Sequence, residues 1–136
     1  MGPSDVIDYC MRSLRADAQA GSKALLAFAA KQDQMEDHVG QLLPGFFSDA
    51  SEFVTHLASQ PRYETLTCLS EFKCMGTPDF SDMSKSAAQK LLVRRDGANW
   101  EEFFVNLQLT KVESEAESAL PRMRWIISSI YKQGTA

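Results

Sequence analysis

Apolar residues between positions 86 and 109 recur at the spacing of an amphipathic helix, with one polar interruption. The first apolar stripe consists of Ala87, Ala88, Leu91 and Leu92. The second, with i, i+3, i+4 and i+7 spacing, consists of Trp100, Phe103, Phe104 and Leu107. Between them Gly97 is typical of a left-handed helix end, and Asn99 is typical of an N-cap. The stretch predicts two helices that meet at a tight corner and bury the Trp100 indole in a helical core.

The same periodicity extends over most of the chain. The stretches that it marks as helical are residues 4–20, 22–43, 49–59, 63–75, 88–95, 100–109 and 120–132. Pro44-Gly45 ends the second of these helices, because proline cannot continue the hydrogen-bond ladder. Signals for strands are nearly absent, since no period-two run stands out and Asp96-Gly97 is flanked by helical patterns. The pattern therefore predicts an all-α bundle.

Composition and charge narrow the class of protein. The chain has 136 residues, of which 44% are hydrophobic and 24% charged, as in one ordinary globular domain. A net charge of −4 argues against a protein that mainly grips nucleic-acid phosphates. No apolar run approaches membrane-spanning length, and no signal-peptide pattern begins the chain. The odd cysteine count, 3, indicates reduced thiols in the cytoplasm.

Residues that could carry catalysis or bind a metal are few. The chain contains 2 histidines, His38 and His56, and no pair of histidines or cysteines has zinc-ligand spacing. His56 and Cys68 would be neighbours if helices 49–59 and 61–75 packed antiparallel, which would allow a small thiol enzyme. A core thiol beside a surface imidazole is the favoured interpretation. We therefore expect no enzymatic activity, no cofactor and no metal.

Charged residues of opposite sign fall on separate parts of the predicted helices. The basic residues expected to bind a partner are Lys90, Arg94, Arg95 and Arg124. The acidic ones are Asp33, Glu36 and Asp37. Complementary patches of this kind favour head-to-tail association, although each run is also explained by simple solvation. Trp125, next to Arg124, is assigned to partner contact or to edge packing with equal weight.

The predicted hairpin and last helix resemble the second half of a caspase-recruitment domain, especially those of RIG-I-like RNA helicases and of their mitochondrial signalling adaptor, and the resemblance covers most of the chain from about residue 22. The resemblance rests on Trp-Glu-Glu-Phe-Phe at 100–104, which follows a leucine-rich helix and an Arg/Asp/Gly-bearing loop. It implies a death-fold, six-helix antiparallel bundle over residues 22–136, with an extra N-terminal helix over residues 1–21. It also implies homotypic assembly in innate immune or apoptotic signalling, for example as the N-terminal module of an RNA-sensing helicase. Such a module would be cytoplasmic and would itself contact neither nucleic acid nor membrane.

A different class of interaction protein remains open. A helical docking or regulatory domain would bind an unrelated partner helix in an apolar groove and would not self-assemble. It would stay monomeric at all concentrations, whereas a homotypic module would associate as its concentration rises.

Overall fold

A four-stranded antiparallel sheet follows three helices in the computed structural model, which describes residues 2–30, 42–112 and 122–132. The helices are α1 (Pro3–Ala16), α2 (Ala18–Ala27) and α3 (Ala50–Ser59), with short 3-10 turns at Pro44–Phe46 and Glu64–Thr67. The strands are β1 (Glu71–Ser81), β2 (Ser86–Arg94), β3 (Glu101–Val112) and β4 (Arg122–Lys132). Consecutive strands are neighbours, in the order β1-β2-β3-β4.

The predicted all-α, six-helix bundle is therefore wrong, and so is the death-fold architecture that the resemblance implied. The stretches 88–95 and 100–109 are strands β2 and β3 rather than a helical hairpin. Stretch 120–132 contributes β4, and 63–75 is divided between a 3-10 turn and the start of β1. Gly97 does adopt the expected left-handed conformation, with φ 73°, but in the β2–β3 connection rather than at a helix end.

Strand formation in β3 follows a second periodicity that the same residues contain. Phe103, Val105 and Leu107 alternate with Asn106 and Gln108, and the first three are buried. Period-two alternation places one set on each side of a sheet. The helical spacing of residues 100, 103, 104 and 107 is coincidental. It arises because Phe104 lies on the side of the sheet opposite to Phe103 and Leu107 and is apolar as well.

Two of the predicted helices are confirmed with changed boundaries. α3 begins after Asp49, whose carboxylate accepts from the Ser51 amide at 2.6 Å as an N-cap should. The predicted helix 4–20 is divided at Asp17 into α1 and α2. A Cβ on Gly21 would lie 2.3 Å from Leu14 Cα, so a glycine is needed where α2 meets α1. None of the described helices is long and apolar enough to cross a bilayer.

Predicted helix 22–43 ends early, because the chain after α2 pairs with the sheet. Ala29 forms a parallel bridge to Ile127, and Leu42 forms an antiparallel bridge to Ile130. These contacts cover part of the outer edge of β4. The intervening stretch includes Asp33, Glu36, Asp37 and His38, and these residues lie outside the described ranges.

A buried amide shapes the opposite edge strand. The register of β1 against β2 shifts between Met75 and Asp79, which makes a bulge. Gln89, fully buried, fills it: its Nε2 donates to the carbonyls of Met75 at 3.0 Å and Gly76 at 3.4 Å. Its Oε1 accepts from Ser4 Oγ at 2.9 Å. Ser4 thus joins α1 to the sheet, and the bulge interrupts the open edge of β1.

The sheet has two unlike sides. The helix-facing side packs into one apolar core with the helices, which includes Ile7, Phe53, Leu91, Phe103 and Ile130, each at 0% exposure. The side opposite, here called the outer face, presents the alternate residues of each strand. On β2 and β3 these are Ala88, Lys90, Leu92, Arg94, Glu102, Phe104, Asn106 and Gln108. Leu92, Phe104 and Tyr131 are partly exposed and do not belong to the helix-facing core.

Candidate interaction surface

Aromatic residues gather on one half of the outer face. Phe104 and Tyr131 are direct partners across β3 and β4, and their rings stack with centroids 5.3 Å apart and an interplanar angle of 16°. Leu92 lies diagonally next to Phe104 across β2 and β3. We call this region, with Trp100 and the charged residues around it, the aromatic half. Its apolar rings are partly exposed, whereas the apolar residues on the other side of the same strands are buried in the core.

Two cations hold Trp100 on this half. Lys73 Nζ lies 4.9 Å from the centre of the indole, and the Arg94 guanidinium carbon lies 4.6 Å from it. These distances are those of cation–π contacts. The prediction that Trp100 fills the helical core is wrong, since its half-buried ring lies outside the core cluster. Phe103, its predicted companion, is confirmed as a core residue.

Charges of both signs interleave with these rings. Lys90 Nζ lies 2.8 Å from a carboxylate oxygen of Glu102. Arg94 forms a bidentate salt bridge with Glu71, whose shortest N–O distance is also 2.8 Å. The Arg94 hydrogen bonds hold the pKa of Glu71 below its usual value. All four side chains are at least 34% exposed, so these pairs remain hydrated and exchangeable. The aromatic half is therefore neither an acidic nor a basic patch.

The structure separates the basic residues that the sequence analysis grouped together. Lys90 and Arg94 share the outer face of β2, two pleats apart. Arg95, the next residue, instead turns to the 3-10 turn at Glu64–Thr67, where its Nε donates to Thr65 Oγ1 at 3.1 Å. Its guanidinium also lies 3.5 Å from the Glu64 carboxylate. All three cations have acidic partners within the same chain.

Arg124 and Trp125 lie on neighbouring positions of β4 and have different surroundings. Arg124 stacks over Phe28, 4.6 Å from the ring centre, and donates to the Ala27 carbonyl. Trp125 is 8% exposed and its ring centre lies 5.8 Å from that of Phe80. Arg124 thus packs at the edge of the sheet, whereas Trp125 belongs to the buried apolar core. The binding of a partner by these two residues stays a prediction. Head-to-tail contact with Asp33, Glu36 and Asp37 stays a prediction, because these residues lie outside the described ranges.

The three cysteines and His56 differ in their burial and in the residues that they contact. Burial raises the pKa of the Cys10 thiol to about 12. Burial, and to a smaller extent the negative charge of Asp8, raises the pKa of the Cys74 thiol to about 11. Cys68 is exposed, and its Sγ lies 3.7 Å from the Glu64 carbonyl. His56 packs on the Phe47 ring at 5.0 Å. Within the described ranges, no group of three or more histidine, cysteine, aspartate or glutamate residues could hold a metal ion.

A polar depression occupies the other half of the outer face. It has a volume of about 550 Å³, and the residues that line it include Ser81, Ser86, Ala88, Asn106, Gln108 and Ser128. Of these residues the sequence pattern marked Ala88 alone, as part of an apolar helical stripe, and it did not mark Tyr131 as a surface residue. The alternation of Asn106 and Gln108 with apolar neighbours is the signal that could have found the outer face.

No protein-family model, curated protein or solved structure matches this chain. The function must therefore be inferred from the outer face itself.

Proposed function

We propose that this chain is a non-enzymatic protein-interaction domain that self-associates through the aromatic half of its outer face. The observation that carries the proposal is the stacked Phe104–Tyr131 pair, which is partly exposed and lies outside the core. This proposal keeps the expected protein-binding role and drops the death-fold geometry.

Burial of these rings would supply the binding free energy. Aromatic and arginine side chains dominate protein interfaces, because each buries a large area with few rotatable bonds. Trp100, Phe104 and Tyr131 lie on one sheet surface, and Arg94 stacks on the first of them. Two sheets that pack face to face lie about 10 Å apart, so rings of this size from both copies interdigitate.

The mixture of charges favours a second copy as the occupant. A strongly acidic or basic partner would meet like charges on this surface, since Lys90 pairs with Glu102 and Arg94 with Glu71. A two-fold axis brings each patch against itself, so a lysine of one copy can meet a glutamate of the other. Alternating charge thus makes the surface self-complementary.

A charge-swap experiment tests the proposal. Lys90→Glu makes both residues of the Lys90–Glu102 pair acidic, and Glu102→Lys makes both of them basic. We expect each variant to remain monomeric where the wild-type chain dimerises, because like charges would face each other across the two-fold axis. An equimolar mixture should regain the dimer as a heterodimer. Sedimentation velocity over a concentration series measures all four samples.

Controls separate self-association from folding. Thermal unfolding of both charge variants checks that the monomers are native. Tyr131→Ala should weaken the dimer. The control Tyr9→Ala removes an equally large side chain, 49% exposed, from the solvent-facing side of α1 and should leave the dimer unchanged. A wild-type chain that stays monomeric up to about 1 mM, the limit of weak association, would contradict the proposal. Variants that fail to recover the dimer when mixed would contradict the self-complementary arrangement.

A further inference from the structure

The polar depression exists because the sheet register collects small side chains in one place. Ser81, Ser86 and Gln108 occupy one row across β1, β2 and β3. Ala88 and Asn106 are paired in the next row. Side chains of one or two heavy atoms leave a floor below the level of the neighbouring rings, while the two amide side chains rise beside it. The volume, about 550 Å³, suits a small molecule.

The β1–β2 turn borders this depression in a conformation that needs support. Asp82, Met83 and Ser84 have φ angles of 52°, 54° and 66°, three consecutive left-handed residues without a glycine. Asp82 also lines the depression, and its carbonyl accepts from the Lys85 amide at 3.0 Å. The chain thus keeps Asp82, Met83 and Ser84 at positions where glycine would be less strained.

Hydrogen bonds orient the amide groups. Asn106 Nδ2 donates to Ser129 Oγ at 3.0 Å, and Ser128 Oγ donates to Gln108 Oε1 at 3.3 Å. Within the described ranges, the carbonyl oxygen of Asn106 has no further partner. Amides and hydroxyls both donate and accept, so together they match a ligand that carries several hydroxyl groups.

The lining disfavours anionic and apolar ligands. No lysine, arginine or histidine of the described ranges lines the depression, and Asp82 would repel an anion. An apolar ligand would remove water from the Asn106 carbonyl oxygen and from the serine hydroxyls without offering them a hydrogen bond, which is unfavourable. We propose that the depression binds a neutral, polyhydroxylated small molecule the size of a monosaccharide. The site uses no residue of the aromatic half, so it does not depend on self-association.

Titration of the ¹⁵N-labelled full chain with D-glucose, D-galactose and D-mannose tests this site. We expect saturable amide shifts at residues 81–88, 106–108 and 128–129 for at least one sugar, with dissociation constants of roughly 1–10 mM. Glucose 6-phosphate and cyclohexanol, as charged and apolar probes, should bind at least about tenfold more weakly than that sugar. Absence of saturable shifts for all three sugars, or preference for either probe, would overturn the proposal.

Ala88→Leu fills the floor of the depression, and Ala58→Leu adds the same group at an exposed position of α3. The first should weaken sugar binding at least about tenfold, and the second should leave it unchanged. Ser86→Leu is a second blocking variant in case Ala88→Leu does not fold. Wild-type affinity in a folded blocking variant would overturn the assignment of the site.

Discussion

Phe103 and Phe104 are neighbours in β3, yet they lie on opposite sides of the sheet. Phe103 is completely buried and contacts the helix-facing core, with its ring 6.4 Å from that of Tyr63. Phe104 is partly exposed and stacks on Tyr131. The first side consists of interlocked apolar residues from helices and strands, whereas the second combines rings with hydrated ion pairs. The contrast shows that one strand can stabilise the fold with one set of residues and leave another set partly exposed on the outer face.

Truncation of these two phenylalanines should give the largest difference in stability between the two sides of the sheet. We expect Phe103→Ala to lower the free energy of unfolding by about 3–5 kcal/mol, because it leaves a cavity in a closed core. Phe104→Ala should lower it by about 1 kcal/mol, since it removes one cross-strand ring contact. Urea unfolding of both variants measures the difference. Equal losses would mean that the outer face is part of the core.

The next largest effect tests how tightly each side is packed. Gly21→Ala adds one carbon between α1 and α2, where it would lie 2.3 Å from Leu14 Cα. We expect a loss of about 1–3 kcal/mol from overpacking, although alanine is the better helix former. Ala88→Leu adds three carbons to the outer face and should cost less. Thermal unfolding of the two variants compares them, and a more stable Gly21→Ala chain would contradict this packing.

The smallest effect concerns the partly buried ion pair between Glu101 and Lys132 on the helix-facing side. Burial alone would raise the pKa of Glu101, but hydrogen bonds from Lys132 and Thr65 more than offset it, so its pKa lies below the usual 4.5. A glutamate with a lowered folded-state pKa stabilises the protein above its unfolded pKa and loses that contribution as the pH falls. Glu101→Gln should therefore reduce stability at pH 7 and flatten its decline below pH 4.5. Urea unfolding from pH 7 to pH 3 checks this, and parallel pH curves would contradict it.

Sequence patterns predicted local features better than the fold. The helix start at residue 49 and the left-handed conformation of Gly97 follow from the sequence, since both depend on chemistry within a few residues. The strands were missed because Ala87-Ala88, Leu91-Leu92 and Phe103-Phe104 are pairs that satisfy helical spacing as well as alternation. One member of each pair belongs to each side of the sheet, so the two-sided character of the surface itself concealed the strands.

Pairing between distant strands determined the rest of the candidate surface. Lys90 and Arg94 were identified as exposed cations, and both lie on the outer face. Their partners Glu102 and Glu71, and the stack of Phe104 on Tyr131, depend on register between strands. Register is not encoded in the local spacing of one stretch, so neither the aromatic half nor the polar depression could be predicted from it.

Dilution of the wild-type chain, followed by the amide signals of the ¹⁵N-labelled protein, tests most directly whether the aromatic half is where two copies meet. We expect concentration-dependent shifts to cluster at Lys73, Lys90, Leu92, Phe104 and Tyr131, with the outer side of α1 unchanged. Shifts confined to the helices, or no shifts over the whole concentration range, would contradict the assignment of this surface.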